Sequence, residues 1–355
     1  LVYLLTHLVA TLVGYLTGTV KGASGFFYVL KYLEYFFVYY MVVNNVRDRA
    51  QAWRFALVAF LTAAVVSLIG IAQIPSGQRV SAPFEGEEGE PNTFGGYLLF
   101  MMALAAALAL ESPHLRTRGW TLGVLGLMAV PFLFTLSRAS YLGVVPLVVV
   151  LALLSSRRRL MVGVLVALLA GSPLVATLFP TPVVKRVLYT FEPEAGQPTA
   201  RLGRVAFDPS TSARLISFRQ AMEGWIKRPV LGYGVTGFGF MDAQYARTLV
   251  ETGVVGLVAF GWLVWAVFRS GLGAFRGLKN PEDRGLALGF LAGTAGLLTH
   301  AIGANTFIIV RIMEPFWFFA GIVLMLPVLE RESTGATAGG GGEARGEGVT
   351  TRLSQ

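Results

Sequence analysis

The chain has 355 residues, 54% hydrophobic and 14% charged, with a formal net charge of +9. A soluble domain of this length carries nearly twice that share of charge, so the composition excludes an ordinary globular protein and points to the membrane. Cysteine is absent and the histidines, His7, His114 and His300, are scattered. That leaves no disulfide framework, catalytic thiol, zinc site or haem site, and no metal or cofactor is expected.

A helix needs roughly 20 apolar residues to cross the hydrocarbon. Apolar runs of about that length lie at 1–18, 25–46, 53–76, 95–111, 119–136, 139–155, 160–180, 246–268, 284–305 and 311–329. The predicted fold is therefore an all-α polytopic integral membrane protein of about ten spans. Its predicted organisation is a transmembrane domain over 1–329, with one long external loop at 181–245, and a disordered cytoplasmic tail over 330–355. The chain opens at Leu1 inside an apolar run and without Met, so further residues are expected before it. No internal repeat suggests an inverted-repeat transporter.

The basic residues sort the loops. Arg47, Arg49 and Arg54 flank one turn, Arg116 and Arg118 another, Arg157, Arg158 and Arg159 a third; Arg269, Arg276, Lys279 and Arg284 surround a fourth, and Arg331 follows the last span. With alternating spans, all of these fall on one side, which the positive-inside rule makes cytoplasmic. The charge excess thus orients the chain in a lipid bilayer, and no nucleic-acid partner is expected.

Ionisable groups at the opposite edge are costly and become functional candidates. Arg138, in TLSRAS, sits between two apolar runs, where external positive charge runs against the topological bias; a snorkelling anchor is the plain alternative. In the long loop, STSARLISFRQAMEGWIKRP reads as a surface helix capped by Ser210, Thr211 or Ser212, with Leu215, Phe218, Met222 and Trp225 on one face. Arg214 falls in its first turn, where a bound anion would offset the repulsion from the helix dipole. Gly232, Gly234 and Gly237 spell G-x-G-x-x-G but lack the βαβ setting of a dinucleotide site, so they predict a tight return to the membrane. In DAQYARTLVETGVVGL, Asp242, Tyr245, Leu249 and Gly253 share a face of one continuous helix, with Glu251 roughly opposite Asp242. A buried Glu251 needs a cation, for which Arg138 and Arg311 are the edge candidates, either in a site or as a structural ion pair. Arg79 precedes the acidic loop of Glu85, Glu87, Glu88 and Glu90, and Asn92 can cap the following span. Lys31 and Glu34 are spaced for a local ion pair.

These segments in this order resemble the O-antigen ligase and polymerase superfamily: an acidic loop, TLSRAS, an S-x-R-L helix with a Trp, RPVLGYG and YARTLVETGVVGL. VSAPFEGEEGEPNTFGGYLLF is similar to its exopolysaccharide-polymerase branch. The resemblance runs from about Phe26 to Leu329 and implies a GT-C-like fold of twelve spans in the full-length chain, two of them before Leu1. It implies a metal-independent glycosyltransferase of the bacterial inner membrane. Such an enzyme moves glycan from an undecaprenyl-pyrophosphate carrier to a saccharide acceptor at the outer face. By motif, Arg138 and Arg214 would bind the pyrophosphate. The ligases carry a histidine, proposed as the base, where this chain has Asp242; the departure favours a polymerase over a lipid A–core ligase. Asp242, Arg138 and Arg214 are then the expected catalytic residues, and Arg79, Tyr245, Glu251 and Arg311 the expected substrate contacts. A lipid-linked glycan flippase, a peptidoglycan glycosyltransferase and a non-enzymatic assembly subunit are the competing readings. The flippase is disfavoured by the gathering of polar groups at one face rather than mid-membrane.

Overall fold

The computed structural model describes residues 1–83, 89–170, 180–193, 197, 199–202, 205–239 and 241–339, with the backbone alone at 168–170, 202 and 334–339. It is a bundle of α1 (Val2–Leu16), α2 (Ser24–Asn45), α3 (Arg49–Gln73), α4 (Pro91–Glu111), α5 (Leu115–Phe134), α6 (Arg138–Leu154) and α7 (Arg158–Ala170). A short α8 (Thr181–Leu188), a two-residue hairpin (Arg201–Leu202 against Val205–Ala206) and α9 (Pro209–Lys227) follow in the long loop. The chain then returns as α10 (Gln244–Gly277), α11 (Pro281–His300) and α12 (Val310–Gly339).

Among the described residues, six of these helices, α2, α3, α4, α5, α10 and α12, are long and apolar enough to span a membrane. The protein is an all-α polytopic membrane protein. Of the other expected spans, α1 has 15 residues and α6 has 17. The second half of the run at 160–180 lies outside the described residues, as do Glu85, Glu87 and Glu88 of the acidic loop. The last helix continues to Gly339, past the expected start of the tail at 330; residues 340–355 are not described.

The centre of the bundle is α4, buried along nearly its whole length, packed against α11. Small residues make that approach possible. A Cβ on Gly289 would come within 2.6 Å of the Leu104 Cα, and one on Gly293 within 2.6 Å of the Phe100 ring. Gly285, Gly289 and Gly293 recur every fourth residue, the small-xxx-small spacing that lets helices pack closely where lipid offers no hydrophobic drive between them. Further along α11, Gly296 meets Gly143 of α6 in the same way.

The two ends of the bundle differ. At the basic-turn end, Arg49 Nε donates to Asp283 at 2.7 Å and Trp53 Nε1 to the same carboxylate at 2.7 Å. Glu282 accepts from Thr117 at 2.9 Å, Glu111 from Ser155 at 2.7 Å, and Glu330 from the Asn280 amide at 3.0 Å. These contacts tie α3, α5 and α12 to α11, and α4 to the α6–α7 turn. At the opposite end, the Val80 amide bonds the Phe134 carbonyl at 3.0 Å, Ser137 bonds Asn92 at 2.8 Å and His300 bonds the Asn92 carbonyl at 3.1 Å. The long loop joins this end.

The predicted continuous helix over 246–268 is instead broken. Gly253 has φ 65° and ψ −166°, a conformation only glycine adopts readily. The break strands backbone groups that a spanning helix would satisfy internally. Residues 229–234 supply the missing partners: Val254 and Val255 N–H donate to Pro229 and Val230 carbonyls at 2.9 and 3.3 Å, and Tyr233 and Gly234 N–H donate to Val250 and Glu251 carbonyls at 3.0 and 2.8 Å. The glycine-rich turn is therefore a backbone plug for α10, which accounts for positive φ at Gly232 and Gly234.

Candidate functional site

Four arginines gather at the loop end. Arg138 opens α6, where Ser137 caps the helix, and Leu136 before it takes φ 49°, turning the chain sharply. The Arg138 guanidinium is bidentate on Asp208, at 2.9 and 2.9 Å, and also donates to Thr190 at 2.8 Å. Asp208 is fully buried and caps α9 by accepting from the Thr211 amide at 3.2 Å. The predicted caps Ser210, Thr211 and Ser212 are thus displaced by Asp208 with Pro209 at the first helical position, a favoured pairing of cap and imino acid. Arg214 consequently sits in the second turn of α9, not the first, where the helix dipole acts on it only weakly.

From α9, Arg214 reaches Asp242 at 3.3 Å, and both side chains remain partly exposed. Asp242 lies in the linker before α10, so it shares no helix face with Tyr245. Its neighbours are pinned: the Gln244 amide donates to the Ala301 carbonyl at 3.1 Å, and the Gln244 side chain accepts from the Phe307 amide at 3.0 Å. Burial lifts the Asp242 carboxyl above the usual aspartate range, against the pull of Arg214.

Arg79 holds the turn that carries Arg138. Its Nε donates to the Thr135 carbonyl at 3.0 Å and its second guanidinium nitrogen to the Leu136 carbonyl at 3.4 Å, placing a cation at the C-terminal end of α5. Burial, with the charges of Arg186, Arg214 and Arg138 beside it, brings this guanidinium down to about 10. Arg186 on α8 completes the cluster and is lowered by burial and by Arg138, with Asp208 acting the other way. The buried Nε atoms of Arg186 and Arg214 have no hydrogen-bond partner among the described residues. Four guanidinium groups with two aspartates among them, and orphaned N–H donors, form a place suited to an anion with several oxygens.

Sequence reasoning missed Arg186 and Asp208. The Asp-Pro pair at 208–209 is a readable cap signal; nothing local marks Arg186. His300 was also passed over. It is fully buried, with Nε2 donating to the Asn92 carbonyl and Nδ1 accepting from the Thr306 hydroxyl at 2.7 Å. Asn92 does not cap α4; it is the second helical residue and joins α4 to α6 through Ser137 and to α11 through His300.

The other expected contacts lie elsewhere. Tyr245 donates to the Leu298 carbonyl at 2.6 Å, tying α10 to α11. Glu251 pairs neither with Arg138 nor with Arg311. Its partner is Arg247 on its own helix, at 3.1 Å, and it also accepts from the Thr236 amide at 2.9 Å. This is the structural alternative: a buried pair that fastens the glycine-rich turn to α10. Glu251→Gln keeps the Thr236 contact but leaves Arg247 without its buried counter-charge, a loss of about 3–5 kcal/mol. Its expected signature is a lower melting temperature in detergent at every substrate concentration. Lys31 and Glu34 do not pair with each other either. The Lys31 ammonium lies over the Tyr28 ring at 4.7 Å. Arg311 lines a groove with Lys31 and with Thr93 of α4.

α9 turns its small residues inward, with Ser212, Ala221 and Gly224 buried and Leu215 and Phe218 exposed. The predicted apolar stripe therefore faces outward, as expected of a helix lying against lipid. Arg219 is engaged with Glu223 at 3.0 Å on the exposed side.

Residues 123–261 match the family model described as O-Antigen ligase. The match supports the O-antigen ligase and polymerase superfamily that the ordered motifs resemble, and it spans Arg138, Arg186, Asp208, Arg214 and Asp242 together with the break at Gly253. No curated protein matches the chain.

Proposed function

We propose that the protein is a glycosyltransferase of the GT-C type, a polysaccharide polymerase or ligase of the bacterial inner membrane. It transfers glycan from an undecaprenyl-pyrophosphate carrier to a saccharide acceptor at the outer face, with the basic-turn end and the C-terminus in the cytoplasm. The observation that carries this reading is the cluster of Arg79, Arg138, Arg186 and Arg214, whose Arg214 also pairs with the carboxylate of Asp242.

In the proposed step an acceptor hydroxyl oxygen attacks the anomeric carbon of the donor. The bond from that carbon to the phosphate oxygen breaks, and its electron pair leaves with the diphosphate. The proton of the acceptor hydroxyl passes to Asp242, a carboxylate that can accept it in the transition state. Guanidinium groups neutralise the departing diphosphate as charge develops on it, so the reaction proceeds without a metal.

Purified protein given its lipid-linked repeat units in the presence of EDTA is expected to form ladder products. Asp242→Asn should abolish them. In wild type, kcat/KM should rise with pH as Asp242 deprotonates, with a midpoint above the usual aspartate range. Arg214 favours the ionised form, so Arg214→Ala should move that limb to higher pH while lowering the plateau. An acid limb that stays in place in Arg214→Ala would remove Asp242 as the base. Movement of intact lipid-linked units across vesicles, with no new glycosidic bond, would favour the flippase.

A further inference from the structure

Asp242 belongs to a stretch without regular structure, since residues 241–243 lie in neither helix nor strand. Backbone groups there have no ladder to satisfy them, and the proposed base needs its main chain fixed if it is to meet a sugar hydroxyl. The fixing comes from the turn between α11 and α12. Its Ala301 carbonyl accepts from the Gln244 amide at 3.1 Å, its Phe307 amide donates to the Gln244 side chain at 3.0 Å, and the Asn305 side-chain amide donates to the Met241 carbonyl. One turn thus grips the chain on both sides of Asp242. Met241, Gln244, Ala301, Asn305 and Phe307 are all buried, which shields these bonds from competing water.

Asn305 is diverted from the task its position would give it. It precedes a short 3₁₀ turn (Thr306–Ile308), where an asparagine ordinarily folds its side-chain oxygen onto an amide of that turn, yet no such bond forms. The side chain goes to Met241 instead. Only its NH2 end can donate to a carbonyl, so Oδ1 faces away, buried and without a hydrogen-bond partner among the described residues. An oxygen stranded in the interior lowers stability, so local stability does not account for asparagine at this position.

The same turn holds the other half of the site. His300, which ends α11, donates to the Asn92 carbonyl at 3.1 Å, and the Ser137 hydroxyl donates to the Asn92 side chain at 2.8 Å, immediately before Arg138. Gly303 packs against Ala139, immediately after it: a Cβ at 303 would lie 3.1 Å from the Ala139 Cβ. Residues 300–307 therefore reach the flanks of Arg138 on one side and of Asp242 on the other. We infer that this turn sets the distance between the donor-binding arginine and the base, with Asn305 the positioning residue for Asp242. The inference rests on the proposed transferase and adds a residue that acts through Asp242. Misplacing a reacting group by about 1 Å can cost about 10²-fold in rate, so the loss on releasing the turn falls on the chemical step and not on donor binding.

The test compares wild type with Asn305→Leu, which keeps the volume and removes both the donor and the stranded oxygen, so its melting temperature in detergent should stay near that of wild type. Its kcat should fall about 10²-fold with donor KM unchanged. Amide hydrogen exchange, followed by mass spectrometry, should quicken in peptides covering 241–248 and hold in those of α4. Gln244→Met, which frees the linker from the Phe307 amide, should reproduce both effects. Ile302→Ala, at an exposed position of the same turn, should show neither. Unchanged exchange over 241–248 in Asn305→Leu would show that the turn does not hold the linker. Quickened exchange with full kcat would show that the hold has no bearing on transfer. A kcat that falls only together with the melting temperature, while donor KM rises, would reduce Asn305 to a packing residue. Exchange needs no substrate, so a wild type without ladder products would strike the proposed function, and the exchange result would still decide whether the turn holds the linker.

Discussion

Arg138→Ala is expected to slow glycan transfer by about 10²–10³-fold, and Asp208→Asn is expected not to. The two residues form one buried bidentate pair, with Arg138 mostly covered and Asp208 wholly so. Either substitution breaks that pair and removes about 3–5 kcal/mol of local stability. A role confined to anchoring the loop would therefore make both variants lose transfer together. Asparagine is as good a helix cap as aspartate, so Asp208→Asn keeps α9 begun at Pro209 and releases the Arg138 charge for the donor's phosphates. Donor KM should fall or hold in Asp208→Asn and rise in Arg138→Ala. The hydrogen bonds from Arg138 and Thr211 outweigh burial and hold the Asp208 carboxyl below the usual aspartate range. Its contribution to stability is complete above that range and is lost as pH falls through the depressed value. Asp208→Asn should remove that acid sensitivity. Equal loss of transfer in the two variants would reduce Arg138 to a loop anchor.

Gly253→Ala is expected to be severely damaging for a change of one methyl group. A Cβ there would stand 2.1 Å from the Val230 carbonyl oxygen and 2.3 Å from its carbon, and backbone cannot give way as a side chain can. The positive φ adds strain of about 1–3 kcal/mol for any residue but glycine. Forcing the helix straight would expel residues 229–234 and leave their four hydrogen bonds to α10 unmade. In lipid each such unsatisfied group costs several kcal/mol. The expected result is loss of the monodisperse peak in detergent gel filtration and of all transfer, while Gly261→Ala, at a glycine with open space around it, behaves as wild type. A well-folded Gly253→Ala protein would show that the break is dispensable.

The spans were legible because each is a long apolar run, and Arg138 was legible because charge at such an edge needs a reason. Arg186 was not, since its neighbours come from α6, α9 and the loop before α4, and no spacing records a meeting of four distant segments. Asp208 was readable and misread: the Ser-Thr-Ser run after it offered three caps, and Pro209 decides for the residue before it. Glu251 has its partner four residues away at Arg247, within the ordinary reach of a helix, and not at the edge arginines Arg138 and Arg311. The break at Gly253 could not be told from an ordinary helical glycine, because the segment that completes it lies some twenty residues earlier in the sequence.

That order of segments bears on how the protein enters the membrane. α10 cannot settle as a finished span while the carbonyls of Val250 and Glu251 and the amides of Val254 and Val255 stay open to hydrocarbon. Their partners, residues 229–234, are already synthesised when α10 emerges from the ribosome. The nascent chain therefore carries the template for its own discontinuous helix ahead of it, and the two halves of α10 close around a segment that is waiting for them.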